Sequence, residues 1–375
     1  MLFTRQSSAG YSGAHKIHDM KRYAVIMAGG AGERFWPLSR ISKPKHLWNV
    51  AGGNGCLLEQ TLERVAKVVP SENILVITNA EQVENMLKFC PSLKPEQVVS
   101  EPLARDTTAA IGLAAELVKI KSGGEDSSFA VFPSDQVIEG NFAGTIASAF
   151  DVAESVDNLV SVGIEPAFPA TGYGYIQRGE EASNSFGKYY KIARFYEKPN
   201  LARASLYVNS GEFYWNAGMF IWKTSTIIAA LEKHVPASAK IFAEIGERLS
   251  KGGNISEILA AEYPKIEKIS IDFSVMERAD NAWVVPSDFV WDDVGSWSAI
   301  ERHYKKDALG NIAQGELYEK ESKDCVVFDA ANRATALVGV KDLIVVHSAD
   351  ATLICAKECS EEVKGLVRSL PQKYR

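Results

Sequence analysis

The chain has 375 residues, 46% hydrophobic and 23% charged, an ordinary folded composition that excludes collagen-like, coiled-coil and wholly disordered chains. Lys and Arg total 41 against 47 Asp and Glu, a net charge of −6, so the basic excess of a general nucleic-acid binder is missing. No apolar run reaches the roughly 18 residues of a membrane span, and five scattered cysteines without CxxC or zinc spacing read as reduced thiols of a cytoplasmic protein.

Residues 1–21 are small and polar and lack the apolar core of a secretory signal. They are expected to form a flexible tail, either native or an extension ahead of a start at Met20. From residue 22 to about 305, short apolar runs alternate with helix-length amphipathic segments. Strands are expected at Tyr23–Ala28, Asn73–Thr78, Phe129–Phe132 and Leu159–Ile164. Helices are expected at Glu59–Val69, Ala80–Phe89, Thr107–Lys121 (with Thr107 as N-cap) and Phe142–Val152. This alternation predicts βαβ units and an α/β fold with a Rossmann-like, mostly parallel sheet. Further on, Lys188–Glu197 and Gly218–Trp222 read as strands, and Leu201–Val208, Ser225–His234, Ala237–Ser250 and Ser256–Glu262 as helices. Residues 306–375 shift to short strands at Asp324–Phe328, Thr335–Val340, Leu343–His347 and Thr352–Ala356, closed by a helix at Glu361–Leu370. They predict a small β-rich C-terminal domain without a strict repeat.

The segment Ala28-Gly29-Gly30-Ala31-Gly32-Glu33-Arg34 follows the first strand directly. It matches neither the phosphate loop nor GxGxxG, since no Gly-Lys-Ser/Thr follows and Phe35 stands where the last glycine belongs. Its glycines allow backbone amides to close around an anion, with Arg34 and Lys45 to supply positive charge; a tight strand-to-helix turn is the alternative. Asp135, just past an expected strand and Pro133, falls at a strand's carboxyl end, where open α/β sheets bind ligands.

The run AGGAGERFWPLSR…KPKHL resembles the signature of the sugar-1-phosphate nucleotidyltransferases, and Trp36–Arg40 resembles the guanylyltransferase branch acting on mannose 1-phosphate. Further blocks resemble the family in its order: Glu101-Pro102…Arg105-Asp106-Thr107, Pro133-Ser134-Asp135, Thr171–Ile176, Glu197-Lys198-Pro199, Trp215–Phe220 and Trp291–Trp297. Together they span residues 22 to about 300.

The resemblance implies transfer of GMP from GTP to mannose 1-phosphate with Mg²⁺ held by Asp135 and Asp293; Asp292 is the lesser candidate. Arg34, Lys45, Lys198 and Asp293 are the expected catalytic groups. Ala28, Gly29, Gly30, Gly32, Glu101, Arg105, Thr107 and Ser134 are expected at the nucleotide, and Tyr173, Gly174, Glu197, Lys198 and Asn216 at the sugar phosphate. Glu101 suits guanine, because a carboxylate accepts from its N1–H and N2–H₂ edge. Asp106, Gln136 and His46 depart from the family's usual asparagine, histidine and glutamine. They leave open another sugar phosphate or nucleotide, and a non-catalytic sensor is the rival outside the class. A phosphomannose isomerase domain is not expected in so short a remainder; self-association through C-terminal strand edges is.

Overall fold

In a computed structural model, which describes residues 20–30, 32–49 and 55–375, the alternation of the sequence becomes a layered α/β body. The expected tail through residue 19, and Ala31 of the glycine-rich segment, lie outside the described residues. The elements run β1 (Arg22–Ala28), α1 (Leu57–Val65), β2 (Ile74–Asn79), α2 (Val83–Phe89), β3 (Val98–Glu101), α3 (Asp106–Lys121), β4 (Ser128–Pro133), β5 (Val137–Gly140), α4 (Phe142–Ser155) and β6 (Leu159–Ile164). Then come β7 (Gly174–Asn184), β8 (Gly187–Glu197), α5 (Leu201–Ser210), β9 (Phe213–Lys223), α6 (Thr224–His234), α7 (Pro236–Ser250), α8 (Ile255–Glu262), β10 (Ala282–Pro286) and β11 (Phe289–Asp292).

The main sheet has the order β3-β2-β1-β4-β9-β6-β10-β8-β7. Its β3-β2-β1-β4 portion is parallel, and so is the β6–β10 pair; β9 runs antiparallel between β4 and β6. The near-continuous apolar runs of β1, β2 and β4 follow from burial on both faces. One face packs on Ile111, Leu113, Phe242 and Ile245 of α3 and α7, the other on Leu58, Leu62, Ile146 and Phe150 of α1 and α4. Because β1 has β2 on one side and β4 on the other, the chain order reverses there, and a crevice opens beyond their carboxyl ends.

Three local expectations change. Helix α3 begins at Asp106, and the Thr107 hydroxyl, expected as its N-cap, instead accepts from the Ile271 amide at 2.8 Å. Residues 174–184, for which no strand was expected, pair along their length with β8 as a hairpin. The C-terminal strands are β12 (Ile312–Gln314), β13 (Glu316–Lys320), β14 (Val326–Asp329), β15 (Ala334–Val338), β16 (Leu343–His347) and β17 (Thr352–Ala356), ahead of helix α9 (Val363–Ser369). Strands β12, β14 and β16 pair in parallel, as do β13 and β15, so the chain coils through rungs. Ile312 lies opposite Val326, fourteen residues on, and Val326 opposite Ile344, eighteen on. That uneven step hides the repeat from the sequence.

The two parts share one apolar cluster. Phe35, Trp36, Val294 and Trp297 pack with Ile312, Val326, Ile344, Val346 and Val363. The Trp36 indole also donates to the Tyr374 carbonyl at 2.7 Å.

Candidate active site

The crevice begins where β1 ends. Thr78 of β2 donates to the Ala28 carbonyl at 2.9 Å, and Asn79 to the Gly29 carbonyl at 2.7 Å, which fixes the turn's entrance. Gly32 has φ +62°, and a Cβ there would fall 2.7 Å from Lys45 Cβ, so the loop folds onto Lys45 only because that position is glycine. The resulting cleft of about 340 Å³ is lined by Gly30, Gly32, Arg34, Lys45, Asp135 and Asp293. Arg34 Nε lies 2.7 Å from a Glu361 carboxylate oxygen of the C-terminal part.

Lys45 is buried, and its ammonium donates to Asp135 Oδ2 at 3.0 Å and to the Asp293 backbone oxygen at 2.5 Å. Asp135 stands at the end of β4 and Asp293 just past β11. The Tyr173 hydroxyl donates to Asp293 Oδ1 at 2.7 Å. Burial raises the Asp293 pKa; Tyr173 and Lys45 oppose the rise, and the charges of Asp292 and Asp135 add to it. Asp292 points elsewhere: Arg302 holds it through Nε and Nη2 at 2.5 and 2.7 Å, and His303 lies 2.8 Å away. Burial works against its ionisation, yet these partners keep its carboxyl well below the usual range. Asp292 also accepts from the Val294 amide at 2.7 Å, and Val294 sits at φ +44°, rare for a β-branched residue. The strained turn separates the two neighbouring aspartates, one to an ion pair and one to the cleft.

Asp135 and Asp293 fit a hard divalent cation. They offer oxygen donors only, their charges repel, and one is buried enough to resist ionisation without a positive neighbour. No group of three or more His, Cys, Asp or Glu poised for a metal occurs among the described residues. Two carboxylates completed by substrate phosphates and water suit Mg²⁺.

Tyr173 leads from the cleft to a polar cluster. Gly174 lies opposite Glu197 in the β7–β8 ladder, and a Cβ on Gly174 would meet Glu197 Oε2 at 2.6 Å. Glu197 Oε1 is 3.0 Å from the Lys198 ammonium, and Lys198 adopts φ +47° at the end of β8. Asn216 accepts from the Gly218 amide at 3.1 Å and from Ser161 at 3.2 Å, and donates to Asp272 Oδ1 at 2.9 Å. Burial, then the Glu197 charge, pushes Asp272 up to about 6. Sequence reasoning missed Asp272, because its segment carries no periodic pattern and only the fold brings it to Asn216.

At the other end of the loop, Glu101 Oε2 would stand 3.5 Å from a Cβ on Gly29. Glu101 is 7% exposed and accepts from the Tyr263 hydroxyl; burial pushes its pKa up to about 7, against that hydrogen bond and with help from the Asp106 charge. Asp106 takes φ +67°, a conformation aspartate shares with asparagine, and its carboxylate accepts from the Thr107 amide. Arg105 donates to the Pro264 carbonyl and Thr107 accepts from Ile271, so both residues brace segment 264–271. Ser134 is buried, with its amide donating to the Met27 carbonyl at 3.1 Å. Gln136 donates to the Ala217 carbonyl at 2.8 Å and links the segment after β4 to the middle of β9. His46 is buried beside Lys45, and burial pushes its pKa down to about 4.

Comparison with known proteins agrees with this fold. The nucleotidyl transferase family matches residues 23–309, and the MannoseP isomerase/GMP-like beta-helix domain matches residues 317–370, the region of parallel rungs. A mannose-1-phosphate guanylyltransferase of Escherichia coli (strain K12) is 36% identical over 360 residues, covering 93% of this chain and 73% of that protein. One from Klebsiella pneumoniae is 34% identical over 359 residues, covering 94% and 74%. A solved structure from Thermus thermophilus, described as a mannose-1-phosphate geranyltransferase, superposes with a TM-score of 0.79 at 34% identity and covers 93% of this chain and 99% of that one.

Proposed function

The chain belongs to the nucleotidyl transferase family, and we propose that it transfers GMP from GTP to mannose 1-phosphate, giving GDP-mannose and pyrophosphate. The observation that carries this reading is the Lys45 bridge, which joins Asp135 and Asp293 at the mouth of a glycine loop with the Glu197–Asn216 cluster one residue from Tyr173. The domain division follows it: residues 22–305 for catalysis and 306–375 as a β-rich support.

In this reading the loop amides at Gly29, Gly30 and Gly32, with Arg34 and Lys45, hold the triphosphate. Glu101 accepts from guanine, within a pocket braced by Arg105 and Thr107 and floored by Ala28 and Ser134. Glu197 and Asn216 accept from or donate to sugar hydroxyls, Gly174 leaves room for the ring, and Tyr173 borders it. Lys198 neutralises the incoming sugar phosphate. That phosphate has its second ionisation near about 6 and is largely dianionic at neutral pH, so no general base is needed. A phosphate oxygen attacks the α-phosphorus, the bond to the bridging oxygen breaks in line, and pyrophosphate leaves with its electron pair. Positioning and charge neutralisation supply the catalysis. Mg²⁺ held by Asp135 and Asp293 would supply Lewis-acid charge neutralisation to the reacting phosphates.

The reaction is read as cytoplasmic, supported by cysteines that are all free thiols; no helix among the described residues is long and apolar enough to cross a membrane. Self-association would use the C-terminal strands, where Val338 and Ile354 are exposed; a monomer at all concentrations in sedimentation removes that element.

The test is Mg²⁺-dependent pyrophosphate release across a matrix of nucleoside triphosphates and sugar 1-phosphates. Release confined to GTP with mannose 1-phosphate supports the whole reading. Release with another pair keeps the chemistry and removes the Glu101 and sugar-cluster roles. Silence with nucleotide binding intact points to a sensor.

A further inference from the structure

The C-terminal part does more than cover the catalytic loop. Helix α9 packs against Glu33–Phe35, with Val363 and Val367 buried in the shared cluster and Arg368 3.3 Å from the Glu33 carboxylate. This seating brings Lys364 into the wall of the same 340 Å³ cleft that Gly30, Gly32, Arg34 and Lys45 line. Of these three cations, Lys45 is engaged by Asp135 and Arg34 by Glu361. Lys364 is half-buried and makes no ion pair among the described residues.

A half-buried lysine without an ion-pair partner, lining a cleft with a glycine loop that has room for an anion, is placed to meet one. We infer that Lys364 is a binding residue for the β- and γ-phosphates of the nucleotide and for the pyrophosphate formed from them, supplied to the catalytic cleft by the C-terminal domain. The inference rests on the cleft being the triphosphate site. Its chemistry is specific to the leaving group. Pyrophosphate carries more charge than the same phosphoryls in GTP, so a cation at this end is worth more to the departing product than to the bound substrate. Lys198, which this reading gives to the sugar phosphate, does not line this cleft, so mannose 1-phosphate binding is not expected to depend on Lys364.

The test uses the full-length chain with Lys364→Met and Lys364→Arg, each followed in both directions of the reaction and by calorimetry with inorganic pyrophosphate and Mg²⁺. Loss of one charge-assisted contact weakens binding by about tenfold. Lys364→Met is expected to raise the KM for pyrophosphate in the reverse reaction by about that factor and the KM for GTP in the forward one by less. The KM for mannose 1-phosphate and the thermal midpoint should stay in place, and Lys364→Arg should restore most of the loss. An unchanged pyrophosphate affinity overturns the inference. So does a rise shared with the mannose 1-phosphate KM and a lowered midpoint, which marks a packing role for α9. Calorimetry reads pyrophosphate binding without turnover, so an inactive wild-type chain would remove the proposed reaction while the Lys364 result still stands or falls by itself.

Discussion

The Tyr173 hydroxyl donates to Asp293 Oδ1 at 2.7 Å, so a residue just ahead of β7 fixes a carboxylate that lines the glycine-loop cleft. The bond opposes the burial that pushes Asp293 toward its neutral form. Asp293→Ala is expected to lower kcat by at least about a hundredfold, the scale of losing a main electrostatic stabiliser. Tyr173→Phe should cost about tenfold in kcat, the scale of one hydrogen bond to a charged group, with the GTP KM little changed. Steady-state kinetics at saturating Mg²⁺ checks both, and near-normal turnover by Asp293→Ala removes that residue from the mechanism.

Glu101 sets stability against recognition. Its folded pKa, about 7, lies above the ordinary 4.5, so the folded state holds the proton more tightly than the unfolded one. The associated stability is fully present below pH 4.5 and is lost as pH rises through 7. Glu101→Gln should therefore match the wild type at pH 4.5 and exceed it at pH 8, by on the order of 3 kcal/mol. The same variant should bind GTP at least about tenfold more weakly at pH 8, since the amide no longer accepts as an anion. Denaturant melts at the two pH values and GTP titration decide the matter; a variant no more stable than the wild type at pH 8 rejects it.

His46 has the opposite sign. Burial lowers its folded pKa from 6.5 to about 4, and its Nε2 is buried without a hydrogen-bond partner among the described residues. Its contribution is intact above pH 6.5 and declines as pH falls toward 4, because the unfolded chain takes up a proton that the folded one refuses. At pH 5 the loss is about 2 kcal/mol. His46→Gln should abolish this loss and leave turnover at pH 7.5 close to wild type. Equal acid sensitivity in the two proteins would contradict it.

Gly174 and Asp272 separate sugar binding from folding. A Cβ on Gly174 collides with the end of the Glu197 side chain, which can swing aside, rather than with backbone. Gly174→Ala is expected to raise the mannose 1-phosphate KM about tenfold, the scale of one displaced charged hydrogen-bond partner, with a melting temperature near wild type. Asp272→Asn should act in the same direction through Asn216. Loss of fold in Gly174→Ala would show that the position serves packing instead.

The parallel half of the sheet and the glycine loop were legible because both are local. Strands β1, β2 and β4 are buried on both faces and read as unbroken apolar runs, and Gly32 is required by its own φ. The resemblance blocks located Lys45, Asp135 and Asp293, but no local pattern states that one ammonium bridges the two aspartates, since these lie 158 residues apart. The C-terminal rungs escaped notice for a different reason. Parallel pairing between short strands leaves no hairpin signal, and unequal rung lengths erase the period.

By itself, then, the sequence determined the α/β class, the family's ordered blocks and the residue types available to the crevice, because these depend on side-chain periodicity and on backbone freedom within a few positions. The tertiary structure alone decided which charges meet. It gave Asp292 to Arg302 and Asp293 to the cleft through the left-handed turn at Val294, turned Arg105 and Thr107 to segment 264–271, and carried Glu361 and Lys364 to the glycine loop. Such pairings depend on distances between groups far apart along the chain, and those distances exist only once the apolar clusters beneath them have packed.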